Sequence, residues 1–218
     1  MQIAIGLYEG YAPLDAIGPY QVFISLPGAE VVVCAARRGR LRDERGLLEL
    51  EISHTFDEVA GPDVLLVPGG MTTRRMVRDG DPIVEWVRAA HPTTTYTTSV
   101  CTGALVLGAA GLLQGVPATT HWLAYDHLRS FGAEPTEQRV VFADRIATAA
   151  GVSAGIDLAL TLVGRLAGDE VAQAIQLGIE YDPQPPYDTG APSKAPAEIR
   201  DLVTGVMRDA EARVLASG

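Results

Sequence analysis

The sequence predicts an α/β protein: a mostly parallel sheet with helices on both faces. Three stretches carry that prediction. The runs AEVVVCAA (29–36) and DVLLV (63–67) are apolar almost throughout, as strands covered on both faces are. Strand-like segments alternate with helical ones, which implies right-handed crossovers between parallel neighbours. The stretch TTTYTTSVCTGALVLGAAGLL (93–113) passes from Thr, Val and Tyr into Ala, Leu and Gly, with Cys101 at the change and small residues, Ser99 and Gly103, two positions to either side. That is the layout of a nucleophile elbow, a sharp turn from strand into helix where two backbone arms come close.

Residues 2–8 alternate and read as the first strand. Residues 11–26 follow as a helix, with Pro13 and Asp15 near its front and Pro27-Gly28 as its stop. Residues 29–36 are a buried strand. The Arg-rich segment 37–45 also carries Asp43 and Glu44 and reads as a solvated loop. Residues 47–53 alternate as a peripheral strand or hairpin arm, and 57–60 as a short helix. The strand 63–67 runs into Pro68-Gly69-Gly70, and 71–77 and 82–90 are helical. The elbow strand (94–100) and its helix (102–113) come next. A turn at 115–117, a short strand at 118–120 and helical spacing over 121–131 follow. Residues 138–142 and 146–149 are two strands around a turn, and 155–166 and 170–179 two helices. The segment DPQPPYDTGAPSKAP (182–196) is too rich in Pro for regular structure. An amphipathic helix, 197–215, closes the chain. Residues 1–181 thus read as one domain, with 182–218 a loop and helix belonging to it.

Composition narrows the function. Among 218 residues, 17 Lys and Arg stand against 27 Asp and Glu, a net charge of -10 that repels nucleic acid. No apolar run reaches the length of a membrane span, and the N-terminus lacks a basic n-region, so a cytoplasmic protein without signal peptide is expected. Two cysteines with no framework spacing fit a reducing compartment.

Cys101 is the candidate nucleophile. At the mouth of a helix its thiol meets exposed N–H groups, which favour thiolate, so its pKa is expected to fall. Cys34, inside a strand with no turn beside it, is assigned to the core. Asp15 has two readings: a helix-start residue complementing the dipole, or a carboxyl facing the thiol, where two acids in a dry site push each other's pKa values apart. Gly70, after a buried strand, is either a plain turn or a backbone donor beside that of Thr102 in an oxyanion-type hole. The four histidines have no metal-ligand spacing, and no metal is expected. His121 starts a helix and stands near the expected rim.

At LDAIGPYQVF (14–23), VPGG (67–70), SVCTGALVLGAAGLL (99–113), ATTHW (118–122) and AGIDLALTL (154–162) the chain resembles the PfpI-type branch of the class I glutamine amidotransferase-like superfamily. The resemblance implies a flavodoxin-like three-layer sandwich, a homodimer and no cofactor. Thr102 after the nucleophile, Asp15 where most relatives carry Glu, and EYDPQPPYDTG (180–190) are similar to members that hydrate isocyanides to N-substituted formamides. Carried over by residue, Cys101 is the nucleophile, Asp15 its acid/base partner, and Gly70 and Thr102 the backbone donors. The intermediate is a Cys101 thioimidate, opened by water that ionised Asp15 activates. Two alternatives stay open: a glyoxalase or deglycase acting on 2-oxoaldehydes, and a non-enzymatic sensor whose Cys101 is oxidised.

Overall fold

A computed structural model describes residues 1–216; Ser217 and Gly218, the end of the 182–218 appendage, lie outside the described residues. The chain runs through β1 (Gln2–Gly6), α1 (Pro13–Phe23), β2 (Glu30–Ala35), β3 (Gly39–Arg42), β4 (Glu49–Ile52), β5 (His54–Thr55), β6 (Val64–Val67), α2 (Thr73–Arg78), α3 (Pro82–Ala90) and β7 (Tyr96–Val100). It continues through α4 (Ala104–Ala109), β8 (Pro117–Ala118), α5 (Tyr125–Ser130), β9 (Glu134–Pro135), β10 (Val140–Ala143), β11 (Ile146–Ala149), α6 (Ala154–Ala167), α7 (Asp169–Gly178) and α8 (Ala197–Ala216).

The main sheet has seven strands in the order β10-β11-β7-β6-β1-β2-β5. Every pairing in it is parallel except β10 with β11. Side chains alternate across β1: Ile3 and Ile5 join one core with Phe23 of α1 and Leu158 and Leu162 of α6. Ala4 joins the other core, with Leu65 of β6, Trp86 of α3 and Leu105 and Leu107 of α4. This is the sandwich of helix, sheet and helix that the alternating segments predict, and each fully buried Leu, Ile or Phe adds about 1.5–3 kcal/mol. Gly6 is glycine for a packing reason: a Cβ there would lie 2.4 Å from the Trp86 ring.

Strands β5 and β9 have no counterpart in the sequence reading, and three further elements depart from it. The segment 37–45 is not wholly a loop, because Gly39–Arg42 pairs antiparallel with Glu49–Ile52. Its alternation of Arg40, Leu41 and Arg42 buries only the Leu, while Arg40 and Arg42 both pair with Glu49 across the hairpin. The elbow helix is shorter than 102–113: one 3-10 turn, Cys101–Gly103, leads into six residues of α4. The spacing over 121–131 divides likewise into a 3-10 turn, Trp122–Ala124, and α5. The segment 182–196 holds no helix or strand.

The topology places the site. From β1 the chain moves to β2 on one side, and later to β6 and β7 on the other. The connections after β1 and β6 therefore leave in opposite directions and open a crevice at the carboxyl ends of these strands, where ligands of open α/β sheets bind. Asp15 is carried into it by α1, Gly69 and Gly70 by the loop after β6, and Cys101 by the end of β7.

Candidate active site

The elbow is a strained turn held from several sides. Cys101 has φ +56°, the left-handed region that non-glycine residues rarely enter. Its N–H donates to Ala150 O at 2.9 Å, and its carbonyl accepts from Thr120 Oγ1 at 2.8 Å. The small residue at position 103 is required by crowding: a Cβ on Gly103 would stand 2.2 Å from Val67 O. Cys101 retains 6% of its surface and lines a cavity with Gly70, Thr102, His121 and Val152.

Asp15 is fully buried. No side chain caps α1, whose N-terminus begins at Pro13. The Asp15 carboxyl instead accepts from Gly69 N–H at 2.9 Å through Oδ2 and interacts directly with the Cys101 side chain. Its Oδ1 is buried without an N–H or O–H partner. Burial raises the Asp15 pKa to about 7, and the Gly69 N–H opposes the rise. A carboxyl poised near neutrality both donates and accepts protons.

The two glycines are present for close approach, not for a left-handed turn. A Cβ on Gly69 would lie 2.6 Å from Thr102 N and 2.9 Å from Asp15 Oδ2, and one on Gly70 would lie 2.3 Å from Gly10 O. Ala12 N–H donates to Gly69 O at 2.7 Å, which ties the start of α1 to this loop. The Gly70 N–H donates to Thr102 Oγ1 at 3.0 Å. Behind that hydroxyl runs a buried chain: Thr102 Oγ1 to Thr73 Oγ1 at 2.9 Å, Thr73 Oγ1 to Tyr8 OH at 2.7 Å, and Tyr8 OH to Pro68 O at 3.0 Å.

The Cys101 pKa is raised, against the sequence expectation. Burial is the largest cause and the Asp15 carboxylate the next; the backbone N–H groups of Val152 and Thr102 hydrogen-bond the sulfur and lower it. A 3-10 turn and a six-residue helix bring only a small dipole, which desolvation outweighs. Cys34, in the core, is also buried, and desolvation alone holds its pKa up at about 12.

His121 reaches the cavity, but its Nδ1 accepts from Leu123 N–H and burial drops its pKa to about 4, so it is neutral at physiological pH. Glu44, from the segment read as a loop, also lines the cavity and accepts from Met71 N–H at 3.0 Å. Neither Glu44 nor the Val152 N–H stood out in the sequence. A lone Glu in a charged run and a backbone donor have no signature in residue type. Among the described residues, no cluster of three or more His, Cys, Asp or Glu is arranged to hold a metal ion.

A cysteine on a left-handed elbow thus meets a buried carboxyl at the crevice of an open, mostly parallel α/β sheet. The chain belongs to the DJ-1/PfpI family, whose model matches residues 1–165. Among its relatives is an isonitrile hydratase from Pseudomonas putida, 42% identical over 92% of this chain and 87% of that one. A deglycase from Thermococcus kodakarensis is 28% identical over 65% of this chain and 84% of its own length. A crystal structure of a ThiJ/PfpI family protein from Pseudomonas syringae superposes with a TM-score of 0.91 at 37% identity, covering 99% of this chain and 89% of that one.

Proposed function

We propose that this protein is an isocyanide hydratase, converting R–N≡C and water to the formamide R–NH–CHO. The observation that carries the proposal is the buried Cys101–Asp15 pair, with Asp15 Oδ1 open and a pKa near 7. The likeness to the Pseudomonas putida isonitrile hydratase supports it.

The raised thiol pKa shapes the chemistry, because no standing thiolate is needed. Asp15, as carboxylate, takes the Cys101 proton while sulfur adds to the terminal isocyanide carbon. It then delivers that proton to the same carbon, giving the thioimidate R–N=CH–S–Cys101. Asp15, again ionised, takes a proton from water as its oxygen adds to the carbon, and passes one to nitrogen. The resulting R–NH–CH(OH)–S adduct collapses: the C–S bond breaks, C=O forms and the hydroxyl proton returns through Asp15 to sulfur. One carboxyl thus serves as base and acid in turn. Val152 and Thr102 N–H groups stabilise charge on sulfur, and Gly70 acts through the Thr102 hydroxyl that its N–H holds.

We also place the protein in the cytoplasm as a homodimer. None of the described helices is long and apolar enough to cross a membrane, and α1 exposes Leu14, Ile17 and Tyr20, with Ile24 just past its end, a face fit to meet a second copy. Light scattering on purified protein reads the oligomer.

The deciding experiment is formamide production from a panel of alkyl and aryl isocyanides, followed by mass spectrometry in 18O water. Label in the formamide oxygen, lost in Cys101→Ala, is the expected result. No turnover across the panel sinks the proposal, and lactate from methylglyoxal in its place installs the glyoxalase reading.

A further inference from the structure

The C-terminal helix α8 lies beyond the residues the family model matches, yet it completes the cavity. Met207, Arg208 and Glu211 line it together with Cys101. Two contacts dock the helix there. Arg74 of α2 forms an ion pair with Glu211, its side chain only 22% exposed and that of Glu211 20%. The same guanidinium donates to Leu123 O at 2.9 Å. The neighbouring Arg75 donates to Val214 O at 3.1 Å. The outer wall of the pocket is therefore α8, latched to α2, and not the Pro-rich segment before it.

We infer that Met207 is a specificity-determining residue which, with α8 latched through Arg74 and Glu211, restricts the site to isocyanides bearing a compact, uncharged organic group. The inference rests on the hydratase reading. The cavity measures about 130 Å³, close to the volume of roughly 150 Å³ at which an apolar protein cavity takes up benzene. Its charged lining balances, with Arg74 and Arg208 against Glu44 and Glu211, so it offers no excess charge to a charged substituent. Apolar lining for the organic group comes from Met207, Met71, Leu123, Ala124, Ala12 and Val152, beside the His121 ring and Thr102. Met207 is the long, unbranched side chain that α8 contributes to that set, and its volume decides how far a group extends from the sulfur.

The test reads access to Cys101 with and without turnover. Cys101 is alkylated by iodoacetamide and by the bulkier iodoacetanilide, and peptide mass spectrometry separates it from Cys34. The ratio of the bulky to the small rate constant rises about tenfold in Met207→Ala and falls in Met207→Trp, the scale on which hydrophobic pockets discriminate by size. Glu211→Gln, which breaks the latch, also raises the ratio. The selectivity ratio for cyclohexyl over methyl isocyanide, as kcat/KM, follows the same order. An unchanged alkylation ratio in both Met207 variants overturns the inference. If the wild-type protein hydrates no isocyanide, the hydratase reading falls while the alkylation ratio still decides whether α8 is the wall.

Discussion

Gly69 N–H donates to Asp15 Oδ2 at 2.9 Å across 54 residues of sequence. That single bond sets both position and chemistry of the carboxyl. It holds one oxygen against the loop after β6, while the other is buried without an N–H or O–H partner. A buried carboxylate that receives several N–H groups is a poor base; one that receives a single N–H titrates near neutrality, about 7 here.

Asp15→Asn separates stability from turnover. The folded pKa of about 7 lies above the ordinary aspartate value of 3.8, so the folded state keeps a proton that the unfolded chain releases. Stability falls as pH rises from about 4 through 7, by up to about 4 kcal/mol once Asp15 is ionised. The Asn variant escapes that cost. Its thermal midpoint exceeds the wild type's at pH 8, and the difference closes near pH 4. Turnover drops by roughly 10²–10⁴ for want of the proton carrier. A variant no more stable than wild type at pH 8 contradicts the desolvated-carboxyl account.

The Cys101 thiol titrates lower in Asp15→Asn than in wild type. The carboxylate raises the thiol pKa through its charge, and its removal leaves Val152 and Thr102 N–H groups acting against burial alone. Ultraviolet absorbance of the thiolate against pH measures the shift. Identical titration curves would remove Asp15 as a direct partner of the sulfur.

Gly69→Ala damages the site without a change of charge. Its Cβ would stand 2.6 Å from Thr102 N, so the loop after β6 must retreat from the elbow. A displacement of this size costs about 100-fold in kcat/KM, with about 1–3 kcal/mol of stability lost to overpacking. Gly178→Ala is the comparison, since a Cβ at Gly178 meets nothing within 4 Å; its activity stays at wild-type level. Equal activity in both variants would show that the glycine is not a close-approach residue.

Thr73→Val breaks the buried hydroxyl chain behind Thr102. Tyr8 OH and Thr102 Oγ1 each lose one of their partners, at about 0.5–1.5 kcal/mol per hydrogen bond. Thr73→Ser restores most of it. Urea unfolding midpoints in the order wild type, Ser, Val check the expectation.

The elbow was legible because residue types change abruptly at Cys101, from strand formers to helix formers, with Gly103 where a backbone carbonyl comes close. The sheet was legible because β2 and β6 are apolar almost throughout, the pattern of strands covered on both faces. The Asp15 role is not decided by composition: a carboxyl in the first turn of a helix also serves as a dipole complement, and its bond to Gly69 is a tertiary contact that leaves no mark in the sequence. The Val152 N–H and the Tyr8–Thr73–Thr102 chain arise from tertiary approach, which no local pattern records. The thiol pKa was misjudged for a related reason, since residue spacing reveals a helix start but not how completely it is desolvated.

The left-handed turn at Cys101 is held by Ala150 and Thr120 from strands and loops completed late in the chain. Its chemistry is therefore absent from any nascent or half-folded form that already has β1 through β7.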